Sequence, residues 1–333
     1  MKKIVFFLLC LALLPAHSQT LTAIRDSVRN GYDFWLYTPP QGDAATNDSL
    51  QISKPLIIFL HGQSLCGRNL NKVRQYGCLQ ALEMGRDIDA YILAPQNPGG
   101  AWKPVKIMNV FNWVQEHAAI DTTRIYVVGM SLGGFGTIDF VGVYPEKVAA
   151  AMALCGGGTL TSYCGLTVVP LWIIHGTADR AVSVAQSQRV VDAMIQCGDT
   201  SLLRFDKFKG VNHTRPARIF YLPELYEWLF AHSLTDSVRH VNKDVAIEVA
   251  TLNNAYKNLE KNVGKITVIN PNRSVPATSR YENDPNAACH TIRQGDTLGA
   301  IARQYRTTVS RLCEINNIQP TTILKIGRVI KVQ

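Results

Sequence analysis

The sequence predicts an α/β fold, a mostly parallel sheet flanked by helices, followed by a small βααβ unit. Three observations carry this reading. Short β-branched or aromatic runs alternate with longer amphipathic segments from residue 32 to 228. Continuous apolar runs such as Leu56-Ile57-Ile58-Phe59-Leu60 suit central strands buried on both faces. A second compact pattern resumes at Cys289, after a stretch rich in Pro, Asn and Ser. With 333 residues, 47% of them hydrophobic and 18% charged, the chain can bury a large core, which excludes general disorder.

Taken in order, Met1-Lys2-Lys3 and the apolar run from Ile4 to Leu14 precede Ala16 and Ser18, the small residues of a cleavage site. Residues 1–18 therefore read as a signal peptide, and the protein as secreted: periplasmic, extracellular or associated with the cell wall. No later stretch is long and apolar enough to span a membrane. Strands are expected at 34–38, 56–60, 90–93, 125–128, 150–154, 171–174 and 202–208, and crossover helices at 107–119, 132–144, 183–197 and 223–232. This assigns a main domain to residues 19–234. An extension at 235–269 holds a helix at 245–262 and a short strand at 265–269, and residues 270–288 form a flexible linker to a module at 289–333.

The net charge of +9 is unevenly placed, with +5 in residues 289–333 and +1 in residues 19–234. That distribution argues against a nucleic-acid partner and fits a module that meets anionic wall polymer. Seven cysteines follow Cys10, and proximity pairs Cys66 with Cys78, Cys155 with Cys164 and Cys289 with Cys313 in an oxidising compartment. No C-x-x-C pair supports a zinc or redox site, and no cofactor or metal is implied.

The chemistry concentrates at Gly129-Met130-Ser131-Leu132-Gly133, directly after a strand and directly before a helix pattern. A nucleophile elbow requires that context, because the serine occupies a tight turn and its flanking glycines let strand and helix approach. Serine needs a base oriented by a carboxylate, in the order Ser, Asp or Glu, His. Asp179 follows the strand at 171–174 and His213 follows the strand at 202–208, each in a loop at the sheet edge where Ser131 emerges. Asp206 is the rival acid, but it falls inside a strand, and His61 and His175 read as structural. The oxyanion hole draws on the backbone N–H groups of Leu132 and Gln63, and Trp102 reads either as an aromatic platform for a sugar or phenolic group or as a partly buried packing residue.

Tyr126 to Gly136, Tyr144-Pro145-Glu146-Lys147, Cys155-Gly156-Gly157-Gly158, His175-Gly176-Thr177-Ala178-Asp179 and Gly210-Val211-Asn212-His213 together resemble an esterase group of the α/β-hydrolase type. That group comprises secreted feruloyl esterases, polyhydroxybutyrate depolymerase-like proteins and predicted peptidases. The resemblance covers residues 55–232 and implies ester hydrolysis through Ser131, Asp179 and His213. The chain departs from the pattern after the histidine, where Thr214-Arg215-Pro216 replace a small residue and tryptophan.

In the last module, Gly295-Asp296-Thr297-Leu298, Ile301-Ala302, Tyr305, Leu312, Asn316, Ile318 and Ile330 resemble a LysM domain. The likeness implies binding of N-acetylglucosamine-containing glycan, peptidoglycan or chitin, with Asp296, Thr297 and Ile318 as contact residues. The expected function is a secreted serine esterase acting on a polysaccharide-borne ester and anchored to glycan. The alternatives are a serine peptidase or acyltransferase on the same three residues, and a wall-binding protein with a non-catalytic hydrolase scaffold.

Overall fold

The structure is a computed structural model that describes residues 19–40, 53–257, 259, 266–270, 289–292, 296–316, 318, 324 and 329–332. The expected signal peptide, with Cys10, and all of the expected linker except Asn270 lie outside the described residues. The chain divides into two units, one ending at Asn270 and the other beginning after it.

The first unit is built on a nine-stranded sheet of β1 (Gln19–Ile24), β2 (Phe34–Thr38), β3 (Lys54–Leu60), β4 (Tyr91–Pro95), β5 (Ile120–Met130), β6 (Ala150–Leu154), β7 (Leu171–Gly176), β8 (Leu203–Phe208) and β9 (Ile266–Ile269). Their order is β8-β7-β6-β5-β3-β4-β2-β1-β9. From β4 to β8 every neighbouring pair runs parallel, whereas β2 is antiparallel to both β4 and β1. Parallel neighbours need crossovers, and α1 (Cys78–Glu83), α2 (Pro104–His117), α3 (Leu132–Val143) and α4 (Ala185–Cys197) lie on them, with α5 (Pro223–Phe230) following β8.

Because successive strand residues face opposite ways, the continuous apolar runs feed two separate cores. Leu56, Ile58, Leu60, Ile125, Val127, Leu171 and Ile173 pack against α2, α3 and α4 through Ile107, Val110, Phe111, Ile138, Phe140 and Met194. Ile57, Phe59, Tyr126, Val128, Met152, Trp172 and Ile174 pack on the other face with Leu79, Leu82, Phe220, Leu225 and Trp228. This two-sided cover is why the central strands carry no polar face.

Three features depart from the sequence reading. The strand β1, absent from the expected set, is an edge-proximal strand in which only Leu21 and Ala23 are buried, a weak apolar signal. Among the described residues the helix expected at 245–262 is represented by α6 (Val249–Asn253), because the chain before it is extended at Glu248 and the Val245 carbonyl accepts from Arg204 Nη1 at 2.7 Å; residues 258 and 260–262 lie outside the described residues. The strand of the extension is present as β9, and it pairs in parallel with β1, so residues 266–269 close the edge of the main sheet.

The cysteines pair differently from the expectation. Cys164 bonds Cys197 at the end of α4, while Cys66, Cys78, Cys155 and Cys313 are free thiols. Sequence proximity fails because Cys78 and Cys155 are fully buried in the packed layers. Cys164, on a surface turn, instead comes within a Cα distance of 5.2 Å of Cys197.

The second unit holds β10 (Cys289–Thr291), α7 (Leu298–Gln304), α8 (Val309–Asn316) and β11 (Val329–Lys331), with β10 and β11 antiparallel. Ile292, Leu298, Ile301, Ala302, Leu312, Ile330 and Val332 form its core. Asn316 ties α8 to β11 by donating to the Lys331 carbonyl at 2.7 Å and accepting from the Lys331 N–H at 2.8 Å.

Candidate active site

The turn between β5 and α3 sets the site. Ser131 sits there with φ 58° and ψ −122°, in the left-handed region that non-glycine residues rarely occupy. The flanking glycines explain how the turn closes. A Cβ on Gly133 would lie 1.8 Å from the Leu60 carbonyl oxygen, and one on Gly129 would lie 2.3 Å from the Gly133 oxygen. Side chains at either position would force β3, β5 and α3 apart and withdraw the serine from the sheet edge.

Loops after β7 and β8 bring Asp179 and His213 to the same edge. His213 Nδ1 lies 2.6 Å from Asp179 Oδ2, and His213 Nε2 lies 2.9 Å from Ser131 Oγ. A carboxylate accepts only, so Nδ1 carries the proton and Nε2 is left to accept from the serine hydroxyl. The Asp179 side chain is wholly buried. Burial pushes its pKa up, but hydrogen bonds from His213 and from the N–H groups of Val182 (2.8 Å) and Ala181 (2.9 Å) outweigh that and hold the carboxyl below its ordinary value. It therefore stays ionised and keeps His213 in one tautomer.

A second layer steadies the acid. His175, buried on β7, places Nε2 3.3 Å from Asp179 Oδ2 and 2.9 Å from the Val182 carbonyl, so that nitrogen carries a proton, while Nδ1 lies 2.8 Å from Ser187 Oγ, which donates to the Gly156 carbonyl at 2.9 Å. Burial lowers its pKa, which keeps the ring neutral. Cys155 stands at the end of β6 with φ 47°, and burial raises its thiol to about 12. Cys155, His175 and Asp179 bring potential metal-ligand atoms within 4.8 Å of one another. Asp179 Oδ2 and both nitrogens of His175 are already engaged in the contacts just described. Neither Cys155 nor Ser187 was legible as part of this site, since nothing in their local spacing refers to Asp179.

The turn after β3 approaches Ser131. A Cβ built on Gly62 would lie 3.4 Å from the Ser131 Cβ. Gly62 N–H donates to the Tyr76 hydroxyl, and His61 holds the turn from behind. His61 Nδ1–H donates to the Gly62 carbonyl at 2.8 Å, and Nε2 accepts from the Asn97 N–H at 3.0 Å. Burial pushes this imidazole down to about 4, so it is neutral. Gln63 and Leu132, the expected oxyanion donors, follow Gly62 and Ser131 at the start of a 3-10 turn and of α3, where N–H groups have no partner within their own helix.

Trp102 requires correction. It is 3% exposed, donates from Nε1 to the His61 carbonyl at 3.2 Å and packs edge-on against the His61 ring, so it is no platform for a sugar or phenolic group. The glycine at position 136 of α3 lets the indole lie this close. Asp206, the rival acid, accepts from Trp172 Nε1 at 2.9 Å and Arg204 Nε at 3.0 Å, on the strand rather than at its end.

In the second unit, Asp296 Oδ2 lies 2.8 Å from His290 Nε2 and Thr297 Oγ1 caps α7 by accepting from the Ala300 N–H at 3.1 Å. Ile318 packs half-buried against the small core. All three expected glycan contacts therefore take part in holding the module together. Gly295 and most of residues 317–323 lie outside the described residues.

Residues 290–333 match the LysM domain family. Among solved structures, the chain is similar to a thermostable esterase at 22% identity and a TM-score of 0.51, over 65% of this chain and 63% of that one. It thus spans less than two thirds of that esterase's length. It is also similar to FphF, a fluorophosphonate-binding serine hydrolase of Staphylococcus aureus, at 14% identity over 64% of this chain and 98% of that one, with a TM-score of 0.46. A third similarity is to an acylaminoacyl peptidase of Pyrococcus horikoshii, at 15% identity over 71% of this chain and 44% of that one, with a TM-score of 0.46. The chain carries an α/β-hydrolase fold with a LysM domain at its C-terminus.

Proposed function

We propose that this protein is a secreted serine esterase that cleaves carboxylic esters through an acyl-enzyme, and that its LysM domain holds it on peptidoglycan or chitin-like glycan. The observation that carries the reading is the His213 ring bridging Asp179 Oδ2 at 2.6 Å and Ser131 Oγ at 2.9 Å. In this reading Ser131 Oγ attacks the ester carbonyl while His213 Nε2 takes its proton, and Asp179 stabilises the imidazolium that forms. The developing oxyanion is met by the N–H groups of Gln63 and Leu132. His213 then passes the proton to the departing alcohol, and a water activated by the same nitrogen releases the acid.

The test is labelling of the full chain with a fluorophosphonate probe, beside turnover of p-nitrophenyl acetate. Ser131→Ala should lose the label and lower turnover on the order of 10⁴-fold or more. Labelling that persists in Ser131→Ala would remove the serine from the mechanism. A panel of acetylated, feruloylated and long-acyl esters beside peptides then identifies the acyl group, on which fold is silent.

A further inference from the structure

We propose that the pocket beside His213 binds an anionic group on the alcohol half of the ester, and that Arg180 is the residue selecting it. This rests on the esterase reading above. The pocket, about 470 Å³, is lined by Ala178, Arg180, Ala181, Asn212, His213 and Thr214. Its volume lies in the range that holds small ligands.

Its position decides which half of the substrate enters. His213 must hand its proton to the leaving oxygen, so the alcohol lies against His213. The pocket lining comes entirely from the two loops that carry Asp179 and His213, and includes neither oxyanion element, Gln63 or Leu132. The acyl oxygen therefore points one way and the alcohol enters this pocket.

Its charge decides what kind of alcohol fits. Residues 177–182 and 209–215 carry three cations, Arg180, Lys209 and Arg215, and a single carboxylate, Asp179. That carboxylate is wholly buried and turned to His213. Arg215 is occupied by Asn253 Oδ1. Arg180 is exposed on the pocket wall, and among the described residues no carboxylate pairs with it. An unneutralised guanidinium in a concave wall favours a carboxylate or phosphate, whose paired oxygens match its fork of donors.

The experiment compares three phenyl acetates on the full chain: 4-acetoxybenzoate, 4-acetoxyphenyl phosphate and the neutral 4-acetoxybenzamide. The quantity read is the ratio of kcat/KM for each anionic ester to that for the amide, so differences in intrinsic reactivity cancel between variants. Arg180→Met should lower this ratio about tenfold, Arg180→Glu should lower it further, and Arg180→Lys should recover most of it. The wild-type ratio should also fall between 0.05 and 0.5 M salt, because the pocket is open to solvent. A larger loss for the phosphate than for the benzoate assigns a phosphorylated alcohol, and the reverse assigns a carboxylated one. A ratio unmoved by Arg180→Met and Arg180→Glu overturns the subsite while leaving the esterase reading intact. Failure of the wild-type protein to hydrolyse any of the three overturns the esterase reading itself.

Discussion

At Asp179, burial and hydrogen bonding pull in opposite directions, and hydrogen bonding wins. A carboxyl whose folded pKa is depressed stabilises the fold above its unfolded value, about 3.9, and loses that contribution as pH falls through the folded value. Asp179→Asn removes both the charge and this acid dependence. Turnover should drop on the order of 10⁴-fold while the protein remains folded, as seen in steady-state kinetics beside circular dichroism. Near-normal turnover in that variant would mean that another group orients His213. The buried histidines act in the same direction but at higher pH. His61 is held down to about 4 in the fold against about 6.5 unfolded, so the unfolded chain binds the extra proton between those values. Stability is then complete above about pH 6.5 and falls by up to about 3 kcal/mol as pH drops toward 4. His175 and His232 are lowered in the same direction. Urea midpoints from pH 8 to 4 should fall, and His61→Asn should flatten the slope. A slope unchanged by His61→Asn would assign the effect to other groups. The meeting of Ser131, Asp179 and His213 could be read from sequence because each stands at a strand's end, whereas the burial of Trp102 depended on the distant Gly136 and could not.

The elements position these residues through close backbone contact. Gly133→Ala must displace the Leu60 carbonyl, which is main chain in a central strand and cannot swing aside. We expect this variant to lose several kcal/mol of stability, read from its denaturation midpoint, as overpacking of a core backbone contact does. The Cys164–Cys197 bond closes a loop with a sequence separation of 33 residues across the layer that carries α4. Reducing it should cost about 3–4 kcal/mol by restoring freedom to the unfolded chain. The check is the shift in guanidinium midpoint with reductant, which should vanish in Cys164→Ser/Cys197→Ser. The central strands were legible because they are apolar on both faces. The β1 strand was not, because an edge-proximal strand buries only alternate residues and its pairing with β9 spans almost the whole first unit.

For the whole molecule, that pairing sets where the chain can be cut. Truncation after Asn270 keeps β9 on the sheet, so hydrolysis of small soluble esters should be nearly unchanged. Truncation before residue 266 exposes the β1 edge and should lower stability or provoke aggregation. The truncated hydrolase should also lose activity on insoluble glycan-bound ester alone, because a tether raises local concentration without touching the chemistry. Equal activity of full-length and truncated protein on insoluble substrate would deny the LysM domain an anchoring role. Binding through a sugar groove should persist at 1 M salt, whereas attraction of the +5 module to anionic polymer should fade as the Debye length falls to about 3 Å. Among the described residues no helix is long and apolar enough to cross a membrane.

Local pattern alone determined the alternation of strand and helix, the tight turn at Ser131, the placement of Asp179 and His213 in loops at strand ends, and the separate C-terminal module. Each of these is written in residues close together in the chain, where periodicity, glycine spacing and strand-end placement act directly. Tertiary structure decided what depends on distant segments meeting. It set the partner of Cys164, the burial of Trp102 under α3, the support of Asp179 by His175, the closure of the sheet by β9, and the open guanidinium of Arg180 beside His213. The physical reason is that burial and pairing are properties of the packed chain. A cysteine or an indole carries the same local signal whether it faces solvent, a sugar or another layer of the core.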